Sequence, residues 1–145
     1  SAGCLIPVTA FDGRRLPFAD GAFDAVMFVD VLHHLEDPAP LLREAVRVAK
    51  ATLLLKDHLR EGRGAQATLS FMDRIGNLRY EVPLPYHYLD RAEWARLWVE
   101  CGLRPEAEET LPNLYPFPAR LLFGRGLHFF RRLCKNTPNP MSPIG

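Results

Sequence analysis

Phe23-Asp24-Ala25-Val26-Met27-Phe28-Val29-Asp30-Val31-Leu32-His33-His34-Leu35-Glu36-Asp37-Pro38, residues 23–38, is the stretch on which the fold turns. Its centre, Ala25 to Val29, is an apolar run without alternation. A strand reads this way when both of its faces are covered, as in a parallel sheet. The run gives way to polar residues, and Asp37-Pro38 then sets up a helix, with Asp as N-cap and Pro at the first helical position. Behind it Leu41, Leu42, Ala45 and Ala49 share one helical face, while Arg43, Glu44, Arg47 and Lys50 lie off it. Thr52 to Leu55 reads as a second buried strand. Strands alternating with helices predict an α/β layered domain with a largely parallel sheet.

Working outward, residues 5–11 form a short apolar run in which Pro7 argues for an edge strand or a strand start. Residues 12–24 read as a loop, and so do the polar residues from Lys56 to Gly64. Leu69, Phe71, Met72 and Ile75 predict a short amphipathic helix ending at Gly76-Asn77, followed by a loop up to Asp90. Asp90-x-x-Glu93 is a capping-box pattern. Trp94, Leu97, Trp98 and Cys101 then recur at helical spacing, and Gly102 stops the helix. Strands are expected within 103–111 and 127–133. No helix separates them, so this pair is expected to be antiparallel. One domain over residues 1–134 and a disordered tail over 135–145 complete the reading.

Composition removes several functional classes. The chain has 145 residues, 48% of them hydrophobic, and Lys+Arg 18 nearly balances Asp+Glu 17. No basic excess argues for nucleic acid. No apolar run approaches the ~18–20 residues of a membrane span, and the first residues do not read as a signal peptide. Cys4, Cys101 and Cys134 are far apart and form no C-x-x-C pair. A sparse, odd cysteine count fits a reducing, cytoplasmic setting.

In an open α/β sheet, ligands bind at the carboxyl ends of the strands. Three polar stretches leave such ends: Asp12-Gly13, Asp30 to Asp37 with His33 and His34, and Lys56-Asp57-His58. A histidine titrates near neutrality, so His33, His34 and His58 are candidate general bases. No H-x-x-x-H or cysteine cluster calls for a metal, and none is expected. Only Ser1, Ser70 and Ser142 are available, without G-x-S-x-G, which argues against a serine hydrolase. Gly62-x-Gly64-x-x-Ala67 imitates a dinucleotide loop but does not directly follow a strand, so a flexible loop or lid is expected there. Trp94 and Trp98 are core. Phe71, Tyr80, Tyr86, Tyr88, Tyr115 and Phe117 could wall a substrate pocket or simply cover the sheet. Arg120, Arg125, Arg131, Arg132 and Lys135 read as a solvated strand face.

Several of these residues together carry a resemblance. Asp12-Gly13-x-x-Leu16-Pro17-Phe18, Gly21-x-Phe23-Asp24, Val31 to Pro38, Leu42-Arg43-Glu44 and Arg47-Val48 resemble the middle of a class I S-adenosylmethionine-dependent methyltransferase. The resemblance implies a Rossmann-like α/β fold, with helices on both faces of a mostly parallel sheet whose last strand is reversed. It implies that Asp12 accepts a hydrogen bond from the adenine amine, with Gly13 beside it. Val29 and Asp30 would border the cofactor, S-adenosyl-L-methionine, and His33 and His34 would face a small-molecule substrate. The family's opening strand, Gly-rich turn and ribose-holding acid have no counterpart in these residues. The chain is therefore expected to be a carboxyl-terminal portion of the domain, inactive alone, with a missing N-terminal segment or a second copy as partner. The alternative is a non-catalytic, methyltransferase-like scaffold. A nicotinamide oxidoreductase would rest only on the 62–67 loop.

Overall fold

The structure is a computed structural model that describes residues 7–78, 84–110, 117 and 126–136. The apolar run around Val26 forms β1 (Phe23–Val29), and α1 (Ala39–Val48) leads straight into β2 (Ala49–His58). β1 and β2 are parallel, with Val26 opposite Leu53 and Phe28 opposite Leu55. Two further helices, α2 (Ala65–Gly76) and α3 (Arg91–Glu100), precede β3 (Leu103–Thr110) and β4 (His128–Lys135). The sheet order is β1-β2-β4-β3. β4 is antiparallel to both of its neighbours, so β1, β2 and β3 run one way and the last strand is reversed.

The buried residues of β1 and β2, Phe28, Leu53 and Leu55, meet Leu42 and Ala45 of α1 and Trp94, Leu97 and Trp98 of α3 in one core with Leu103, Phe129 and Leu133. α1 and α3 thus share one face of the sheet. Handedness accounts for this. The crossovers from β1 to β2 and from β2 to β3 step in the same direction along the sheet, and right-handed connections then leave their helices on the same side. The opposite face holds the half-buried Thr52 and Leu54 and leaves Met27 62% exposed. β1 is therefore not covered on both faces, contrary to the reading of its unbroken apolar run.

The helix ends follow from local chemistry. Asp90 accepts from the N–H groups of Ala92 and Glu93, while Glu93 accepts from the Asp90 N–H, closing the expected capping box. Gly102 takes a φ of 68° just after α3, a conformation glycine adopts without strain. At α1, Asp37 does accept from Ala39 N–H at 3.0 Å, but Pro38 holds the cap position, one residue later than expected. The buried stripe of α1 is Ala39, Leu42, Ala45 and Val48, with Leu41 at its margin.

Other expectations need correction. Residues 7–11 form no strand and are exposed; they gain no pairing partner among the described residues, and an unpaired strand has nothing to satisfy its backbone. Residues 5 and 6 lie outside the described residues. Gly64 caps α2 in the left-handed conformation and the helix starts at Ala65, so residues 65–67 belong to a helix rather than a lid. Lys135 belongs to β4. The remainder of the expected tail, 137–145, is outside the described residues, as are Cys4, Tyr80, Tyr115, Arg120 and Arg125.

Candidate functional site

Parallel pairing of β1 and β2 brings their carboxyl ends side by side. Asp30 follows β1 and donates its backbone N–H to the Lys56 carbonyl at 2.9 Å. Its φ of 51° lies in the left-handed region, which Asp tolerates better than most residues. Lys56 donates to both Asp30 carboxylate oxygens at 2.5 Å. The chain then closes a single 3-10 turn, Leu32–His34, which places His33 over the end of β2.

The expected Lys56-Asp57-His58 loop is instead the last turnless stretch of β2. It stays in the sheet because β4 pairs along it to the end, with Asp57 opposite Phe129 and His58 opposite His128. Asp57 is wholly buried. One carboxylate oxygen accepts from the Leu32 N–H at 2.9 Å; the other accepts from the His58 N–H at 2.7 Å and lies 2.6 Å from His33 Nδ1. His33 Nδ1 is also 3.1 Å from His58 Nδ1. A proton between two such nitrogens can sit on only one of them, so the other accepts.

The outer nitrogens of the same two rings meet a second carboxylate. Asp73 of α2 lies 3.6 Å from His33 Nε2 and 4.0 Å from His58 Nε2. Tyr88 donates its hydroxyl to Asp73 at 2.5 Å and is itself buried against Leu69, Ala65 and Leu127. His33, Asp57 and His58 are each at most 5% exposed. His34 is half-buried, and its Nδ1 is shielded from solvent without a hydrogen-bond partner.

Electrostatics follow from these contacts. Burial works against a charged His33 ring, but the Asp57 bond and charge, with Asp73 and Asp30 behind them, outweigh it and raise its pKa. His34 is lowered by burial and by the charge on His33. Burial would raise the Asp57 pKa; hydrogen bonds from His33 and His58 overcome it and hold the group ionised. Burial, the neighbouring His58 and Lys56 together bring His128 down to about 4. Tyr88 is pushed up by burial and by its bond to Asp73, so it stays a donor.

The sequence candidates therefore separate. His33 and His58 meet directly, His34 lies against His33 with ring centres 4.1 Å apart and planes tilted by 41°, and Asp30 stands beside them. Val29 ends β1 and is 49% exposed. Asp12 forms a local turn, one oxygen accepting from Arg14 and Arg15 N–H at 2.8 and 3.0 Å, with Gly13 at a φ of 78°. Asp24 pairs with Lys50 at the entry of β1, as a structural residue should. Sequence reasoning missed Asp73 and His128, and named Tyr88 only as a pocket wall or sheet cover. Asp73 had a signal, an acid in phase with Ala65 and Leu69 on the buried side of α2, where a charge needs partners.

Beside this polar cluster runs an open apolar groove of about 580 Å³, lined by residues including Phe11, Phe18, Val26, Phe28, Val31 and Leu35. It begins one residue before Asp12 and reaches the turn that carries the histidines. Of the other aromatic candidates, Phe71 is 53% and Phe117 73% exposed, so neither walls a pocket among the described residues. Arg132 is exposed, as expected of a solvated strand face, and approaches Glu106 at 3.4 Å, whereas Arg131 is buried over the Trp98 ring at 4.5 Å and so departs from that reading.

Residues 2–52 match the methyltransferase domain family. The fold is that of a class I methyltransferase. A methyltransferase solved with the Trm112 activator of Haloferax volcanii superposes with a TM-score of 0.62 at 16% identity, covering 88% of this chain and 60% of that one. An S-adenosylmethionine-dependent methyltransferase from Aquifex aeolicus gives 0.57 at 18% identity, covering 89% and 54%. Ajmaline N-methyltransferase of Rauvolfia serpentina is 29% identical over 105 residues, covering 59% of this chain and 36% of that protein. The chain thus spans about a third of that relative's length. No helix of the described residues is long and apolar enough to cross a membrane.

Proposed function

We propose that this protein transfers a methyl group from S-adenosylmethionine to a small-molecule acceptor. The observation that supports this best is the meeting of Asp30, His33, Asp57 and His58 at the carboxyl ends of β1 and β2, where this fold class places its ligands. The residues suit the cofactor. Asp12 offers an exposed, acceptor-only carboxylate to an exocyclic amine, and the apolar groove starting at Phe11 offers a surface for a flat ring. Gly13, Val29 and Asp30 complete this border. When bound, the cofactor supplies a methyl group already activated by its sulfonium.

The chain's own part is then positioning and proton removal. Asp57 fixes His33 and the end of β2 through bonds to two backbone N–H groups, so the acceptor side is set before a ligand arrives. His34 is the most open of His33, His34 and His58 and takes the proton of the acceptor's amine or hydroxyl. The family's Gly-rich turn is not among these residues, so the assignment covers the adenine border and the acceptor side.

Calorimetric titration of the full-length protein with S-adenosylmethionine tests this. Saturable binding is expected, weakened roughly tenfold or more in Asp12→Ala, since a hydrogen bond to a charged group is worth ~1.5–3 kcal/mol. Unchanged affinity in that variant overturns the adenine role. Absence of binding overturns the enzyme reading in favour of a methyltransferase-like scaffold.

A further inference from the structure

We propose that His33, Asp57 and His58 form a buried binding site for a zinc-class divalent ion, with Asp30 as the fourth ligand within reach. The sequence has no metal-ligand spacing, because the ligands come from two strands' ends and meet only in space. His33 Nδ1, His58 Nδ1 and an Asp57 oxygen lie 3.1, 2.6 and 3.7 Å from one another. Ligands ~2.0–2.1 Å from a tetrahedral zinc stand about 3.3 Å apart. The three observed separations bracket that edge, and an ion fits among them once the His33–Asp57 contact opens by about 0.7 Å and the other two move by a few tenths of an ångström.

A second, independent feature points the same way. Metal-ligating histidines characteristically hand their other ring nitrogen to a carboxylate, which fixes the tautomer and strengthens the ligand. Here the outer nitrogens of both His33 and His58 face the one carboxylate of Asp73, which Tyr88 anchors from behind. With both Nε2 atoms protonated on the Asp73 side, both Nδ1 atoms are left as acceptors 3.1 Å apart. Without an ion, one proton must keep those two nitrogens from repelling. Charge also balances. Asp57 and Asp73 meet imidazoles, backbone N–H groups and a hydroxyl, while the nearby ammonium of Lys56 is neutralised by Asp30. Asp30 lies within 4.8 Å of the set and is held by Lys56, so a fourth oxygen ligand stands next to the other three.

The inference goes beyond methyl transfer and is tested without cofactor or acceptor. The 145-residue chain, stripped with EDTA, is titrated with Co2+ as a spectroscopic stand-in and with Zn2+, and bound metal is counted by mass spectrometry. One equivalent of zinc and the intense visible band of tetrahedral cobalt are expected. Both should vanish in His58→Ala and persist in His34→Ala. Asp73→Asn, which keeps the side-chain volume and both ligands, should bind zinc about 10–100-fold more weakly. Circular dichroism identifies any variant that fails to fold, and Asp73→Asn then carries the test. A wild-type chain that takes up no stoichiometric zinc overturns the proposal, and so does retention of full affinity in both His58→Ala and Asp73→Asn.

Discussion

Replacing Asp57 with Ala tests whether this carboxylate holds the candidate site together. The side chain is fully buried and is the acceptor for the Leu32 N–H and the His58 N–H and the partner of His33 Nδ1. Alanine leaves all three buried groups without it, and water cannot reach them without opening the turn. Each buried donor left unpaired costs ~1–3 kcal/mol, and removing one side of a buried charged pair costs about 3–5 kcal/mol. The expected loss is therefore on the order of 4 kcal/mol, against ~5–15 kcal/mol for a whole domain. Asp57→Asn keeps one acceptor oxygen and the shape but turns an amide toward one of the donors. Its loss should be smaller, on the order of 1–3 kcal/mol. Urea unfolding at neutral pH in EDTA separates the three proteins. At a slope of about 2 kcal/mol/M, the alanine midpoint should fall by roughly 2 M, with the slope itself unchanged. A midpoint within a few tenths molar of wild type would refute the reasoning, because the three donors would then be finding other partners. An asparagine variant as damaged as the alanine one would refute the specific claim that the oxygens, rather than the charge, hold the turn.

Two further outcomes follow from the same geometry. Arg47 bonds Glu44 and, through the pair, pins the carbonyls of Leu16 and Phe18, while Glu44 accepts from Leu16 N–H; these contacts bring the Glu44 pKa down from 4.5 to about 2, burial opposing. Because the folded-state value lies below the ordinary one, this contribution is complete above pH about 4.5 and disappears as the pH falls towards about 2. Glu44→Gln should thus flatten that part of the acid-unfolding curve and leave a smaller stability deficit at pH 2 than at pH 6, read by thermal melts. Tyr88→Phe removes the donor that anchors Asp73 and should destabilise by ~1.5–3 kcal/mol; a change below half a kcal/mol in chemical unfolding would show that Asp73 is held by the histidines instead.

What the sequence made legible was local. The capping box at Asp90 and Glu93, the recurrence of Trp94, Leu97 and Trp98, and the stop at Gly102 lie within one short segment and depend on no distant partner. β1 and β2 were readable as strands for the same reason, and the helix read between them accounts for their parallel pairing. Residues 56–58 failed the local test, because three polar residues after Leu55 look like a strand that has ended. Their strand character is conferred by pairing with residues 128–130, some seventy positions on, and no pattern within the segment records that partner. On α2 apolarity pointed to the wrong face. Phe71 and Ile75 are exposed while Asp73 is buried, because the helix presents to the domain the side that Tyr88 and the histidines can satisfy. A buried acid is chosen by its hydrogen-bond donors, and hydropathy is blind to donors.

The same contrast bears on how the site is built. Polar residues at a strand end usually face water and move. Here Asp57 is fixed by two backbone N–H groups, one from its own strand and one from the turn after β1, so its position is set by the main chain of both strands. His33 and His58 are then oriented from both sides, by Asp57 at one nitrogen and Asp73 near the other. That is more constraint than folding alone requires, since apolar residues of similar volume would fill the space at a lower desolvation cost. Groups held this tightly lose little by reorganising when charge develops or a ligand arrives, which is the condition for preorganised chemistry. The extension of β4 to His128 completes the arrangement, because without its pairing the last three residues of β2 would fray and Asp57 would lose one of its two anchors.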